Sequence, residues 1–218
     1  MSVEMSASAA TVAPLKLGAY VSPEDHGRAN FYALISRLFA DAPDQALLQA
    51  IAGSPPLSSA DSGEPLSLAW SKLIAASSVM DADAAREEFD ALFIGVGKAP
   101  VNLHASHHLT GFMMETPLAE VRGTLATLGF ARLESQTVVE DHLAALCEVM
   151  RLLIVGADGV DAAPMSVQRQ FFSLHIESWF ELCCRAIMKS SLANYYGVVA
   201  QFASSFLLVE REGFAIDV

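Results

Sequence analysis

Positive charge is scarce in this sequence: 13 Lys and Arg stand against 25 Asp and Glu, a net charge of −12 over 218 residues. Affinity for a phosphate backbone comes mainly from clustered Lys and Arg that release counterions, so the balance argues against nucleic acid. It favours a cationic partner, which an acidic surface steers inward. Cysteine is also scarce. Cys147, Cys183 and Cys184 are odd in number and two are adjacent, which is no disulfide framework; a reduced, cytoplasmic compartment is expected. No run approaches the roughly 18 uninterrupted apolar residues of a membrane span, so stable membrane insertion is not expected. The segment 1–21, rich in Ala, Ser and Thr with Glu4 and Lys16, lacks the basic and apolar regions of an export signal. Period-2 alternation, Asn-Gly or Asp-Gly hairpins between β-branched runs and internal repeats are all missing, which removes the β classes.

What is present is helical. Ser22-Pro23-Glu24-Asp25 combines a capping hydroxyl, a first-turn proline and two acids against the positive end of the helix dipole. Phe31, Leu34, Ile35, Leu38 and Phe39 follow at three- and four-residue spacing. Further helices are predicted over 45–52, 66–80, from Asp81 or Asp83 to Gly95-Val96-Gly97, from Thr116-Pro117 to Gly129, and over 138–155. Two long helices, 166–189 and 192–208, complete the chain. The segments 53–65 and 156–164 carry Pro and Gly and read as loops. The architecture expected is all-α, a single helical bundle with a hinge before the last two long helices. In segments, 1–24 is a flexible tail, 25–155 an N-terminal lobe, 156–164 a hinge linker, 165–210 a C-terminal helical part and 211–218 a tail.

Few residue patterns carry chemistry. His104, His107 and His108 share a helix face by spacing, and neutral imidazole suits zinc. The plainer reading is a His-rich loop and helix start, since H-E-x-x-H is missing. The alternative function on this cluster is a helical metal-dependent hydrolase. Gly95-Val96-Gly97-Lys98 looks like part of a phosphate loop, but Ala99 stands where the magnesium-binding hydroxyl belongs. Glu140-Asp141-His142, in the first turn of the 138–155 helix, has two readings. It caps the helix and opposes the dipole, or it receives an Arg guanidinium or peptide backbone. No nucleophile elbow occurs, and Cys147 reads as a small core residue, so no catalytic residue is assigned.

Four segments in order resemble the TorD/DmsD/NarJ family of cytoplasmic redox-enzyme maturation chaperones. Glu88 to Lys98 (EFDALFIGVGK) is similar to the family's E-x-x-x-L-F-x-G-x-G stretch. Leu118-Ala119-Glu120-Val121-Arg122, followed by Leu128-Gly129-Phe130, resembles its E-V-x-x-x-Y-x-x-x-G segment. Glu140-Asp141-His142-Leu143 with Glu148-Val149-Met150 is similar to its D-H helix, with Val139 in place of the usual proline. Gln170 to Trp179 (QFFSLHIESW) resembles its Q-x-x-F-x-x-x-H-L-x-x-W signature. His104 and His108 stand where aromatic residues follow the Gly-x-Gly loop in the family.

The resemblance implies an all-helical chaperone, not an enzyme. Such a chaperone binds the twin-arginine signal peptide of a molybdenum-cofactor oxidoreductase precursor, assists cofactor insertion into the folded body, and delays export. It places Asp141 and His142 in the peptide site with Glu140 beside them. Leu92, Phe93 and Glu88 would shape the groove or the core, and Phe171, Phe172, His175 and Trp179 would dock the lobes. It implies no cofactor of the chain's own and no metal, beyond weak guanine nucleotide binding. A monomer or a domain-swapped dimer is expected, with 156–164 as the hinge of any swap. Which molybdoenzyme is the client is open, as is a helical adaptor unrelated to export.

Overall fold

The computed structural model describes residues 21–58, 64–95, 99–131, 138–157 and 160–216. Ten α-helices lie among them, in chain order α1 (Pro23–Ala40), α2 (Gln45–Ala52), α3 (Glu64–Val79), α4 (Ala82–Phe89), α5 (Ala105–Thr110), α6 (Thr116–Thr127), α7 (Leu143–Val155), α8 (Met165–His175), α9 (Phe180–Lys189) and α10 (Tyr195–Ile216). A single π-helical segment, Asp90–Ile94, continues α4. No strand occurs among the described residues; two isolated bridges pair His104 with His142 and Ala157 with Val160.

Local chemistry starts several of these helices where the sequence places them. Ser22 Oγ accepts the Asp25 N–H, Asp44 accepts from Leu47 and Asp81 from Ala84, each satisfying a donor that the first turn leaves open. Gly95, at φ 61°, closes the π segment. The rest of the Gly-x-Gly-Lys stretch, residues 96–98, lies outside the described residues, as do residues 1–20 of the expected tail.

Packing then selects the faces. α1 lies along α7, while α10 packs on α3 and α9, and α2 on α3. One apolar cluster takes in Ile35, Phe39, Leu73, Leu146 and Met150 together with Phe172, Trp179 and Phe202, from both sides of 156–164. α1 is wrapped on two sides, so its buried residues are Ala29, Tyr32, Ile35, Leu38 and Phe39. Phe31, expected on the same face as Ile35, is turned instead toward Trp70, Phe202 and Phe206 at 5.2–5.4 Å. All three cysteines are buried, and burial raises their thiols, which fits small core residues.

Four boundaries differ from expectation. The loop read over 53–65 ends earlier, because α3 starts at Glu64 with Pro65 in its first turn. The helix read over 138–155 starts at Leu143, so Glu140 and Asp141 precede it. The helix read over 166–189 is two, α8 and α9, and three helices follow the linker where two were expected. The break has no glycine or proline. Trp179, fully buried, donates its indole N–H to the His175 carbonyl (2.7 Å), which gives that carbonyl a partner outside the helix ladder. Finally, α10 runs to Ile216 through the expected tail. Its last turns are held because Glu210 meets Arg28 with two 2.8 Å bonds and Phe214 packs on Phe172 at 5.3 Å.

The start of α10 depends on a distant residue. The Glu88 carboxylate, at the end of α4, accepts the backbone N–H groups of Asn194 (2.8 Å), Tyr195 (3.0 Å) and Tyr196 (2.7 Å). An anion placed on the open donors of a 22-residue helix caps it and complements its dipole. The first Glu of the E-x-x-x-L-F stretch is therefore an inter-helix cap. Glu88→Ala is expected to lower unfolding free energy by about 2–3 kcal/mol in urea denaturation, and Glu88→Gln by less.

Candidate functional site

A groove of about 450 Å³ runs between α1, α6 and α7. Its width comes from small side chains: Ala40 on α1, Ala126 on α6 and Ala144 and Ala145 on α7 leave room that larger residues would fill. Leu125, Phe130, Val149 and Leu152 make its apolar walls. The turn after α6 aims one of them. Gly129 at φ 77° sends its N–H to the Ala126 carbonyl (3.2 Å), while Phe130 N–H bonds the Leu125 carbonyl (2.9 Å). This glycine-ended closure brings residue 130 back over residue 125, on the groove.

The polar part of the groove is acidic. Glu140 and Glu148 both line it. Arg122 on α6 donates to Glu140 Oε2 at 3.0 Å, joining the α6 wall to the turn before α7. Glu148 is held by Arg151, one turn further along α7, through three bonds of 2.7–3.1 Å. A second cleft, of about 530 Å³, lies at the start of α1. Its central charges are committed to the fold, because Arg28 is locked bidentately on Glu210 and also holds Asp25.

Asp141 and His142 sit just behind Glu140, and their groups point into the protein. Asp141 is 1% exposed. Its carboxylate accepts the Ser106 N–H at 3.0 Å and its carbonyl accepts the Ala105 N–H at 2.9 Å, so it caps α5. His142 caps α7, its Nδ1 accepting the Ala144 N–H at 3.1 Å. Leu143 N–H returns to the Leu103 carbonyl (2.8 Å), completing a short antiparallel contact between the two segments. Of the two readings of Glu140-Asp141-His142, the geometry supports capping for Asp141 and His142. The Asp141 carboxylate lies within a residue that is 1% exposed and accepts a buried backbone donor, which is the placement of a cap. Glu140 alone of the three lines the groove.

Leu92 and Phe93 lie elsewhere. Leu92 is fully buried, and Phe93 packs among Phe89 (5.2 Å), Tyr196 (5.1 Å) and Phe39 (6.1 Å). Phe39 adjoins Ala40, so Phe93 supports the α1 wall from behind, and neither Leu92 nor Phe93 lines the groove. Groove residues that sequence patterns did not single out include Ala40, Ala126, Ala144 and Ala145. Their shared signal is small size, and Ala144 and Ala145 are adjacent.

The histidines are engaged in the fold. His104 Nδ1 meets Asn102 Oδ1 at 3.0 Å, His108 Nε2 meets the Asn102 carbonyl at 2.7 Å, and the His108 ring stacks on Trp179. His104 and His142 rings touch edge to face at 4.8 Å. Burial lowers the pKa of His104 and His108 and brings His142 down to about 3, the latter also through His104. Among the described residues no group of three or more His, Cys, Asp or Glu is placed to hold a metal ion. The hydrolase alternative on His104, His107 and His108 therefore has no support in this arrangement. Among the described residues no helix is long and apolar enough to cross a membrane.

A family model described as the nitrate reductase delta subunit matches residues 60–185, over half of the chain and including both α6 and α7. No curated protein matches the sequence. A solved crystal structure, described as that of a candidate redox enzyme maturation protein from Archaeoglobus fulgidus, is similar in fold. It is 15% identical, with a TM-score of 0.53, over 92% of this chain and 98% of that one.

The His142 cap is acid-labile by linkage. Its pKa is lower folded (about 3) than unfolded (6.5), so its contribution is full above pH 6.5 and falls progressively as pH drops toward 3. About 2 kcal/mol should be lost by pH 5, read as a fall in urea midpoint. His142→Asn retains an acceptor for Ala144 without titrating, so this part of the acid dependence should flatten. Asp141→Ala strands a buried N–H and should cost about 1–3 kcal/mol at neutral pH.

Proposed function

Since the chain belongs to the nitrate reductase delta subunit family, the NarJ/TorD-type maturation chaperones, we propose that it is a cytoplasmic chaperone that binds the twin-arginine signal peptide of a molybdenum-cofactor oxidoreductase precursor. Bound there, it delays export while the cofactor enters the folded body of the client. It acts by binding and carries out no catalytic step of its own.

The observation that carries this reading is the apolar groove between α1, α6 and α7 with carboxylates at Glu140 and Glu148. A twin-arginine leader is cationic at its start and apolar and helix-prone after it. About 450 Å³ accommodates the few side chains that one face of a short helix presents at i, i+3 and i+7. Charge-assisted bonds to a carboxylate suit the guanidinium, whose planar fork matches it. The net charge of −12 draws such a segment in before contact. The similar fold described for redox enzyme maturation supports the same direction.

In this reading the expected site residues divide by role. Glu140 receives the leader's arginine. Asp141 and His142 are positioning residues, which fix the turn that carries Glu140. Phe93 supports the α1 wall through Phe39, and Leu92 is a buried core residue.

Calorimetry with a twin-arginine leader peptide tests the proposal. Changing Arg-Arg to Gln-Gln should weaken binding by about tenfold or more. Ala126→Trp, at an exposed position in the groove wall, should block the peptide while leaving the melting temperature near that of the wild type. Equal affinity for both peptides, or an unaltered affinity in Ala126→Trp, would overturn the reading.

A further inference from the structure

Three large apolar residues stand side by side on the surface in the loop between α5 and α6. Phe112 is 70% exposed and Met114 72%, and Met113 and Leu109, at the end of α5, are exposed with them. Hydrogen bonds hold the loop in this form. Gly111, at φ 84°, ends α5 with its N–H on the His107 carbonyl (2.9 Å). Thr110 Oγ1 donates to the Ser106 carbonyl (2.8 Å) and accepts the Phe112 N–H (3.2 Å). The Glu115 N–H reaches Ser106 Oγ at 3.3 Å. Met114, at φ 59°, is the one non-glycine residue at positive φ among the described residues, in a conformation that glycine would adopt at less cost. The chain thus keeps apolar side chains in water on a strained backbone, and no packing within the fold rewards it. A patch of this kind marks a contact surface.

Position and charge identify the occupant. Ser106 joins the loop to the groove turn: its Oγ accepts from Glu115, and its N–H donates to Asp141, the neighbour of Glu140. Along α6 the groove lining starts at Arg122, about 9 Å of helix beyond Thr116. With an arginine at Glu140 and the apolar half in the groove, the leader's opening residues are still without a partner. An extended chain covers about 3.3–3.6 Å per residue, so about three residues ahead of the arginines reach the loop. An export leader opens with positive charge. The loop is flanked by the exposed carboxylates Glu115 and Glu120, and the chain has no Lys or Arg between Lys98 and Arg122. Apolar surface beside carboxylates suits Lys and Arg, whose stems cover apolar side chains while their heads stay in water. Phe112 also offers a ring face to a cation, and methionines adapt to stretches of differing shape.

Resting on the reading of the groove as a leader site, we propose that the loop from Leu109 to Met114, with Glu115, is a second contact that takes the basic opening residues of the leader. The arginine pair at the groove sets the register, and the loop grips the residues ahead of it. The two contacts lie on one chain, so the second forms at the high effective concentration that the first provides. A leader with a longer basic start gains a contact that a shorter one lacks. The loop therefore selects among leaders that the groove treats alike.

Two leader peptides separate the contacts: a complete one, and one shortened to start, acetylated, at its arginine pair. Calorimetry compares wild type, Phe112→Ser, Met114→Gly and Glu115→Gln, with melting temperatures as the folding check. The wild type should bind the complete leader about five- to tenfold more tightly than the shortened one. Phe112→Ser and Met114→Gly should each remove most of that difference and leave the affinity for the shortened leader unchanged. Met114→Gly relaxes a left-handed backbone, so its melting temperature should stay near that of the wild type. Glu115→Gln should shrink the difference about two- to threefold and make it less sensitive to salt. Equal binding of the two leaders by the wild type, or loop variants that leave the difference intact, would overturn the proposal. Equal weakening of both leaders would do the same, by placing the apolar half on the loop. So would a wild-type dimer that Phe112→Ser disperses in sedimentation, since the loop would then join two copies of the chain. In all these cases the groove reading survives if Gln-Gln in place of Arg-Arg still weakens the shortened leader about tenfold. Without that loss the groove reading fails, and the loop contact fails with it.

Discussion

The short antiparallel contact between residues 103–106 and 141–144 is the constraint on which the site depends. Two adjacent residues there start two helices: Asp141 caps the N-terminus of α5 and His142 that of α7. Backbone bonds from Ala105 to Asp141 and from Leu143 to Leu103 register the segments against each other. A buried carboxylate is tolerated because it accepts a backbone donor, and a buried imidazole because it stays neutral. With that turn fixed, Glu140 lines the groove and accepts from Arg122.

Much of the helical order was legible because it is local. Ser22, Asp44 and Asp81 sit immediately before apolar periodic runs, and Gly129 stands just after one, so caps and stops could be read within a few residues. The misread boundaries have tertiary causes. The interruption between α8 and α9 is made by Trp179 reaching back to His175, with no glycine or proline to announce it. The extension of α10 depends on Arg28 and Phe172, both distant in sequence from Glu210 and Phe214. Asp141 could be recognised as part of a chemical motif, but its partner at Ser106 lies 35 residues away.

The groove was hardest to foresee because it is defined by what is missing. Motif reading responds to distinctive side chains such as His104, Asp141 or Phe93, and these are consumed in capping and packing. The groove owes its shape to alanines on three helices and its charge to Glu140 and Glu148. Leu125 and Phe130 have the composition of core residues, yet they are only partly buried and line the groove wall. The family and its maturation role thus fit a division in which the distinctive residues build the frame and plainer ones make the contact surface.

Photo-crosslinking addresses the central claim, that the cleft between α1, α6 and α7 receives the client's leader. A twin-arginine peptide carrying a photoreactive residue in its apolar half is irradiated on the full chain, and the attachment sites are mapped by mass spectrometry. The account predicts attachment at Leu125, Ala126, Ala145 or Val149, suppressed by excess unlabelled peptide. Attachment confined to the cleft at Arg28 and Glu210, or to the exposed loop at Phe112 and Met114, would contradict it.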